Sequence, residues 1–351
     1  MLCRRFLPAK AALAALLSAA GALAQTAAPE TATQPPATKP EWNEILTQPK
    51  ETSRLPPPGL PQVKFSNFTS CPITEMQIYV PELAHLEPAQ DQSQLNTLLD
   101  RIGAKALEIA NQTPNLVSRE AVVSQNGQTK KKQTFSYLVL QHHLRSNVMV
   151  FDEFRVDVAT GEKFQTEFGS VEAPAGPPGQ PPGLTDPLIA SRSPHTAGPL
   201  SKGFVGAWLY FYPSNRTLLD FRYLGLQRMH HVQTLVISFA QKRGSPFSGA
   251  MVGFEGKNYP VFVQGVAWVE AADFRIVRLE TDLLSLPAAL PLQRLTSDID
   301  FAQFPVAELP SPLWLPRRVT VAEILGAVNL QEDHIYSNYR LFRTRSKLVL
   351  K

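Results

Sequence analysis

The chain is poor in the residues on which most recognisable chemistry is built. It holds only 2 cysteines, Cys3 and Cys71. Cys3 lies in an N-terminal stretch expected to be cleaved off, so the remainder has neither an intrachain disulfide nor a cysteine-based metal site. Cys71 then reads as a small buried hydrophobe, with an intermolecular bridge as the alternative. No Gly-x-Ser-x-Gly elbow, phosphate-binding glycine loop, His-Glu-x-x-His helix or calcium loop occurs, which weakens an enzymatic reading. Net charge is also scarce. Residues 1–24 carry Arg4, Arg5 and Lys10 and no acid, so the formal +4 falls to +1 without them, with 31 basic against 30 acidic residues. A chain this close to neutral has no nucleic-acid footprint.

What is present begins with a leader. A basic start runs into the apolar stretch Ala11 to Leu23 and ends on Ala22-Leu23-Ala24, the layout of a cleavable secretory signal. The apolar part has 13 residues, against about 20 for a bilayer span. Cleavage near Ala24 and a periplasmic or extracellular mature chain are expected. Of the 31 prolines, 9 fall in residues 25–65 and 8 in residues 172–199. The first segment reads as a proline-rich disordered arm and the second as a Pro/Gly loop. Between and beyond them, residues 66–351 are expected to form a single β-rich domain.

One helix stands out, from Pro88 to Asn111, where Leu95, Leu98, Leu99, Ile102, Ala106, Ile109 and Ala110 recur at steps of three and four to form an apolar stripe. Most of the rest reads as strand. Ser118–Ser124 and Gln128–His142 flank Asn126-Gly127, a hairpin signal. Further strands are expected at Val148–Val158, Lys163–Phe168, Arg216–Gln227, Val232–Gln241, Val261–Glu270, Phe274–Leu284, Leu292–Phe304, Arg317–Leu325 and Glu332–Arg343. Short turns between neighbours require antiparallel pairing. The fold class is therefore α+β and β-rich, with a large curved antiparallel sheet and a helix packed on it.

Candidate chemistry is thin. The seven histidines include the adjacent pairs His142-His143 and His230-His231. Adjacent strand residues point to opposite faces, so each pair offers one ligand to any one site. A metal centre would need one member of each pair, with His334, to converge across the sheet, and ordinary strand histidines are the simpler reading. Asp298 and Asp300 share a face that a polar outer surface explains equally well. Neither a catalytic residue, a metal site nor a cofactor is assigned. The aromatic content is more informative: Phe204 to Tyr212 is an apolar run holding Trp208, Tyr210 and Phe211, and Trp268 and Trp314 add bulk later. These five residues are the candidates for lining or closing an apolar ligand cavity, with plain core packing as the alternative.

Gln264-Gly265, the strand through Trp268, the acidic turn at Asp273 and the returning Arg275-Ile-Val-Arg-Leu-Glu280 resemble the strand-turn-strand of the periplasmic lipoprotein-carrier and outer-membrane lipoprotein-sorting superfamily. Leu315-Pro316-Arg317-Arg318-Val319-Thr320-Val321 and Tyr336 to Phe342 are similar to the closing strands of such proteins, and this ending also resembles that of secreted proteins of soil bacteria. The resemblance spans residues 205–345. It implies a half-barrel with a helical lid whose concave side binds acyl chains. The function expected is an exported, non-enzymatic binding or carrier protein for a lipid or other apolar ligand. The alternatives are a structural or protein-interaction module of the envelope, in which an envelope protein is the partner, and a hydrolase.

Overall fold

The computed structural model describes residues 66–143, 149–165, 204–229, 231–242, 250–254, 257–285 and 290–343. The expected signal, proline-rich arm and Pro/Gly loop lie outside these residues.

The chain enters through α1 (Ile73–Tyr79), a 3-10 turn (Pro81–His85) and the short β1 (Glu87–Pro88), followed by α2 (Leu95–Gln112). A four-strand run comes next: β2 (Leu116–Asn126), β3 (Thr129–His143), β4 (Met149–Asp157) and β5 (Lys163–Gln165). Two 3-10 turns (Ala207–Phe211 and Pro213–Leu218) precede β6 (Leu219–Met229), β7 (Val232–Gln241), β8 (Ala250–Phe254) and β9 (Lys257–Glu270). The last four strands are β10 (Ile276–Ser285), β11 (Leu292–Phe304), β12 (Leu313–Leu325) and β13 (Val328–Leu341). One antiparallel sheet runs in the order β1-β6-β7-β9-β10-β11-β12-β13-β2-β3-β4-β5, with β8 paired to β9 off this path. It is an open half-barrel with α2 packed on it.

The strand and helix expectations differ from the structure mainly at their ends. The helix starts at Leu95 rather than Pro88, because Glu87 and Pro88 pair with Leu226 and Gly225 on β6. Gln92 then holds both backbone groups of Tyr223, and Asp91 accepts from the Ser93 backbone N–H. At the first hairpin Asn126 pairs with Thr129, so the two loop residues are Gly127 and Gln128, with Gly127 at φ +57°. The glycine supplies the positive φ one position earlier in the loop than an Asn-Gly turn would place it. Pro213 opens a 3-10 turn, which delays the strand expected from Arg216 to Leu219.

The inner face of the sheet carries the larger core. Leu98, Leu99, Ile102, Ala106 and Ile109 of α2 meet Tyr137, Val139, Tyr223, Leu235, Ile237, Phe239, Ala267, Leu279, Ile299 and Val319. The outer face over β6, β7 and β9 is covered by residues 68–86, where Phe68, Cys71, Met76, Val80 and Leu83 pack on Leu224, Val236, Val266 and Trp268. This cover is tied down by buried hydrogen bonds. The Phe68 N–H donates to Gln264 Oε1 (2.8 Å), Ser238 Oγ donates to the Phe68 carbonyl (3.0 Å), and Gln227 Nε2 donates to the Glu82 carbonyl (2.5 Å). Arg278 and Glu280 of β10 are buried on this side, and Arg278 pairs with Glu82 and Asp298. The carboxylate of Asp298 is thus an ion-pair partner on the outer side.

Gly265 on β9 joins the two faces. A Cβ there would lie 2.1 Å from the Glu280 carbonyl and 2.7 Å from the Phe239 ring. The missing side chain is what lets Phe239 lie flat across β9. Overpacking a well-filled core costs about 1–3 kcal/mol, and Gly265→Ala must displace both backbone and an aromatic ring. It should lose about 3 kcal/mol in urea denaturation; a loss below about 0.5 kcal/mol would show that Phe239 does not depend on this glycine.

Candidate functional site

The segment from Phe204 to Tyr212 lies on the inner face as an aromatic plug. Phe204, Trp208, Leu209, Tyr210 and Phe211 are all buried. Tyr210 stacks on Phe239 at 4.9 Å between ring centroids, Phe211 meets the same ring edge-on at 5.8 Å, and Trp208 meets Phe151 edge-on at 5.8 Å. α2 accommodates the plug at Gly103, where a Cβ would sit 3.2 Å from the Phe211 carbonyl and 3.4 Å from Pro213. Helix-interior glycine is unfavourable by about 1 kcal/mol relative to alanine, so the close approach explains its presence. The plug's backbone bonds stay local: Ala207 to Phe204, Leu209 to Gly206, Tyr212 to Leu209 and Asn215 to Tyr212. Asn215 Nδ2 adds a bond to the Leu209 carbonyl. A polar link from this segment to the sheet is the Val205 N–H donating to Glu153 Oε1 at 3.3 Å.

Beside the plug, the inner face turns polar. Glu120 on β2 is fully buried. It accepts from Arg155 of β4 through Nε and through Nη2 (2.8 Å), and from His334 Nδ1 of β13 (2.8 Å). Glu332 lies 3.4 Å from His334 Nε2. Burial pushes the Glu120 carboxyl up, but the Arg155 guanidinium and the His334 bond outweigh it and hold the group at about 2. Burial likewise pushes the His334 imidazole down, but its bond to Glu120 and the nearby Glu332 carboxylate raise it to about 9. The result is a buried imidazolium and guanidinium sharing one carboxylate. The Arg155 guanidinium stands 5.2 Å from the Tyr137 ring centroid, Tyr137 and Tyr336 are 5.2 Å apart, and Phe204 packs on His334 at 5.5 Å. The start of the plug therefore covers the charged cluster.

The five aromatic candidates divide between the two faces. Trp208, Tyr210 and Phe211 come together in the plug. Trp268 sits on the opposite, outer face, its indole N–H donating to Gln227 Oε1 (3.0 Å) and its ring 5.3 Å from the Arg278 guanidinium. The alternation of β9 dictates this, since Gly265, Ala267 and Val269 face inward and Trp268 cannot. Trp314 is half-buried at the margin of the inner core, donating to the Ile276 carbonyl (2.8 Å) under Arg275. Among the described residues no group of His, Cys, Asp and Glu has a metal-holding arrangement.

The charged cluster has no local sequence signature, because Glu120, Arg155 and His334 come from strands far apart in the chain. A signal was nonetheless present. Glu120 shares its phase with Leu116 and Val122, and Glu153 and Arg155 share theirs with Phe151, so these charges interrupt apolar rows rather than polar ones.

No protein-family model matches the chain, and no curated protein does. Solved structures to which the chain is similar include a DUF1329 family protein from Desulfovibrio piger (11% identity, TM-score 0.37, covering 72% of this chain and 94% of that one). A putative outer membrane lipoprotein-sorting protein domain from Vibrio parahaemolyticus matches at 10% identity and TM-score 0.35, over 69% and 91% of the two chains. A LolA superfamily protein from Nitrosomonas europaea matches at 12% identity and TM-score 0.33, over 70% and 94%. The fold itself is an open antiparallel sheet with a packed helix.

Two outcomes follow from the charged cluster. His334 keeps its proton to about pH 9 when folded, whereas an unfolded imidazole releases it near 6.5. Its contribution of about 3 kcal/mol is complete below pH 6.5 and is lost as pH rises to 9. Thermal denaturation from pH 6 to 9.5 should show this decline in the wild type and a flatter profile in His334→Gln; a flat wild-type profile would contradict a buried imidazolium. Arg155→Met leaves Glu120 without its main cation, and breaking such a buried pair costs about 3–5 kcal/mol. Urea denaturation at pH 7 checks it, and a loss under about 1 kcal/mol would mean Glu120 is not held as an anion.

Proposed function

We propose that this is an exported, envelope-located, non-enzymatic binding or carrier protein for a lipid or other apolar ligand. The inner face of the half-barrel is the binding surface, and residues 204–212 are its exchangeable plug. Trp208, Tyr210 and Phe211 are the contacts that an apolar chain replaces or shares, with Trp314 at the margin. Trp268, on the other side of the sheet, takes no part.

The observation that carries this reading is the way the plug is held. The backbone bonds of its 3-10 turns close locally, the Val205 N–H donates to Glu153 on β4, and rings resting on rings make up the rest of its attachment to the sheet. An apolar chain offers the inner face the same kind of contact, so exchange would leave the strand ladder intact. Short 3-10 turns have poor hydrogen-bond geometry and little stability of their own. Among the described residues, no helix is long and apolar enough to cross a membrane.

A second reading is favoured by the same residues. Trp208 and Phe211 are only 2% and 3% exposed, so the inner face is filled, as a structural or protein-interaction module of the envelope requires. Native mass spectrometry of the protein taken from its own envelope, followed by lipid extraction, separates the two. The carrier reading expects an apolar ligand in the extract, and a ligand-free protein would sink it in favour of the second. Gly103→Val, which forces α2 away from Phe211 and Pro213, should in addition speed uptake of a fluorescent fatty-acyl probe severalfold; unchanged uptake would argue against a moving plug.

A further inference from the structure

Next to the plug, three buried hydroxyls on the inner face lack a hydrogen-bond partner: Ser118 Oγ, Tyr137 Oη and Tyr336 Oη. Their residues are 3%, 0% and 2% exposed. They form one patch. Ser118 is the register partner of Tyr137 across β2 and β3, and the Tyr137 and Tyr336 rings lie 5.2 Å apart. A buried polar group left unsatisfied costs about 1–3 kcal/mol, and native interiors meet such groups with water or a ligand. Phenylalanine and alanine would fill the same space without that penalty. Three such hydroxyls in one patch mark a place where a polar group belongs.

The surrounding charges select its chemistry. Arg155 has its Nε and Nη2 engaged by Glu120, and His334 has Nδ1 engaged by the same carboxylate and Nε2 within 3.4 Å of Glu332. Glu153 faces inward from β4 beside them and accepts from Val205. Three carboxylates against two cations leave the neighbourhood formally negative by one, which opposes a phosphate or carboxylate head. Hydroxyls both donate and accept, so a neutral hydroxyl is their natural complement. Burial pushes the Tyr137 and Tyr336 hydroxyls well above their ordinary range, which keeps both protonated.

We infer that Ser118, Tyr137 and Tyr336 form a subsite for the uncharged, hydroxyl-bearing head group of an amphipathic ligand whose apolar tail takes the place of the 204–212 plug. This rests on the carrier reading and names the ligand class of that site. Phe204, packed on His334, and Val205, bonded to Glu153, cover the subsite when the plug is in place.

The test uses the full chain, stripped of lipid, and three probes of equal acyl length: a monoacylglycerol, the free fatty acid and its methyl ester. Calorimetry should show the monoacylglycerol binding about tenfold tighter than the other two. The double variant Tyr137→Phe/Tyr336→Phe should lose that tenfold preference, a size expected for two hydrogen bonds of ordinary strength, while binding of acid and ester changes less than about twofold. Its ligand-free melting point should stay level or rise, because two unpaired hydroxyls have gone. Ser118→Ala provides a second, smaller change should the double variant fold poorly. Equal binding of all three probes by the wild type would overturn the subsite and leave the carrier reading standing. So would a fall in the melting point with lipid preference unchanged, which would assign the hydroxyls to buried water. Binding of none of the three would overturn both.

Discussion

A carboxylate sealed from water must find its counter-charges inside the protein, and the half-barrel is built around that demand at Glu120. Isolated burial of a charge is prohibitive, so Arg155 and His334 have to arrive on the inner face of β4 and β13. Side chains alternate strictly along a strand, and a slip of one residue in either strand would turn the cation outward. Glu120 would then be left uncompensated. The triad thus penalises wrong register in the half of the sheet where β2, β3, β4 and β13 meet. Neighbouring apolar positions alone would resist such a slip less strongly, because several rows here carry apolar residues on both faces.

The two sides of the sheet are closed in physically different ways. On the outer side, residues 68–86 are fastened by side chains reaching their backbone: Gln264 and Ser238 to Phe68, Gln227 to Glu82, and Arg222 to the carbonyl of Cys71. Removing that cover would strand buried polar groups of the sheet. On the inner side, the aromatic plug rests mainly on rings, with local backbone bonds in its 3-10 turns and one amide, that of Val205, bonded to Glu153. Lifting it would expose mainly apolar surface. One cover is therefore fastened through polar bonds to the sheet and the other chiefly through ring contacts. Gly265 serves both, since it lets Phe239 seat the plug while its neighbours Gln264 and Val266 hold the outer cover.

The sheet itself was legible in the sequence. Val232–Gln241 and Leu292–Phe304 coincide with β7 and β11, the first as a run rich in β-formers and the second because Pro291 and Pro305 bound it. The stripe of α2 was equally readable, apart from its first turn, where Pro88 is used for pairing with β6. The 3-10 form of residues 207–211 was not legible, since a continuous apolar run carries no period. α1 also escaped notice, being seven residues long with Met76 as its one buried residue. Within the site, aromatic content pointed to the plug, but composition cannot say which face of a strand is inward. Trp268 and Trp208 look alike in the sequence for that reason. The triad stayed hidden because 214 positions separate Glu120 from His334, a distance over which no local pattern speaks.

The pairing of β13 with β2 sets the order in which the molecule can be completed. β2 to β5 can form hairpins among themselves early, yet their edge finds its partner only when the final strand is available. Long-range pairing of this kind is slow, because distant parts of the chain must first be brought together. Until then the edge of β2 is bare and Glu120 lacks His334. The two halves of the sheet are thus welded last, along the line where the charged triad sits, and a chain shortened before residue 334 would lose that weld along with its final strand.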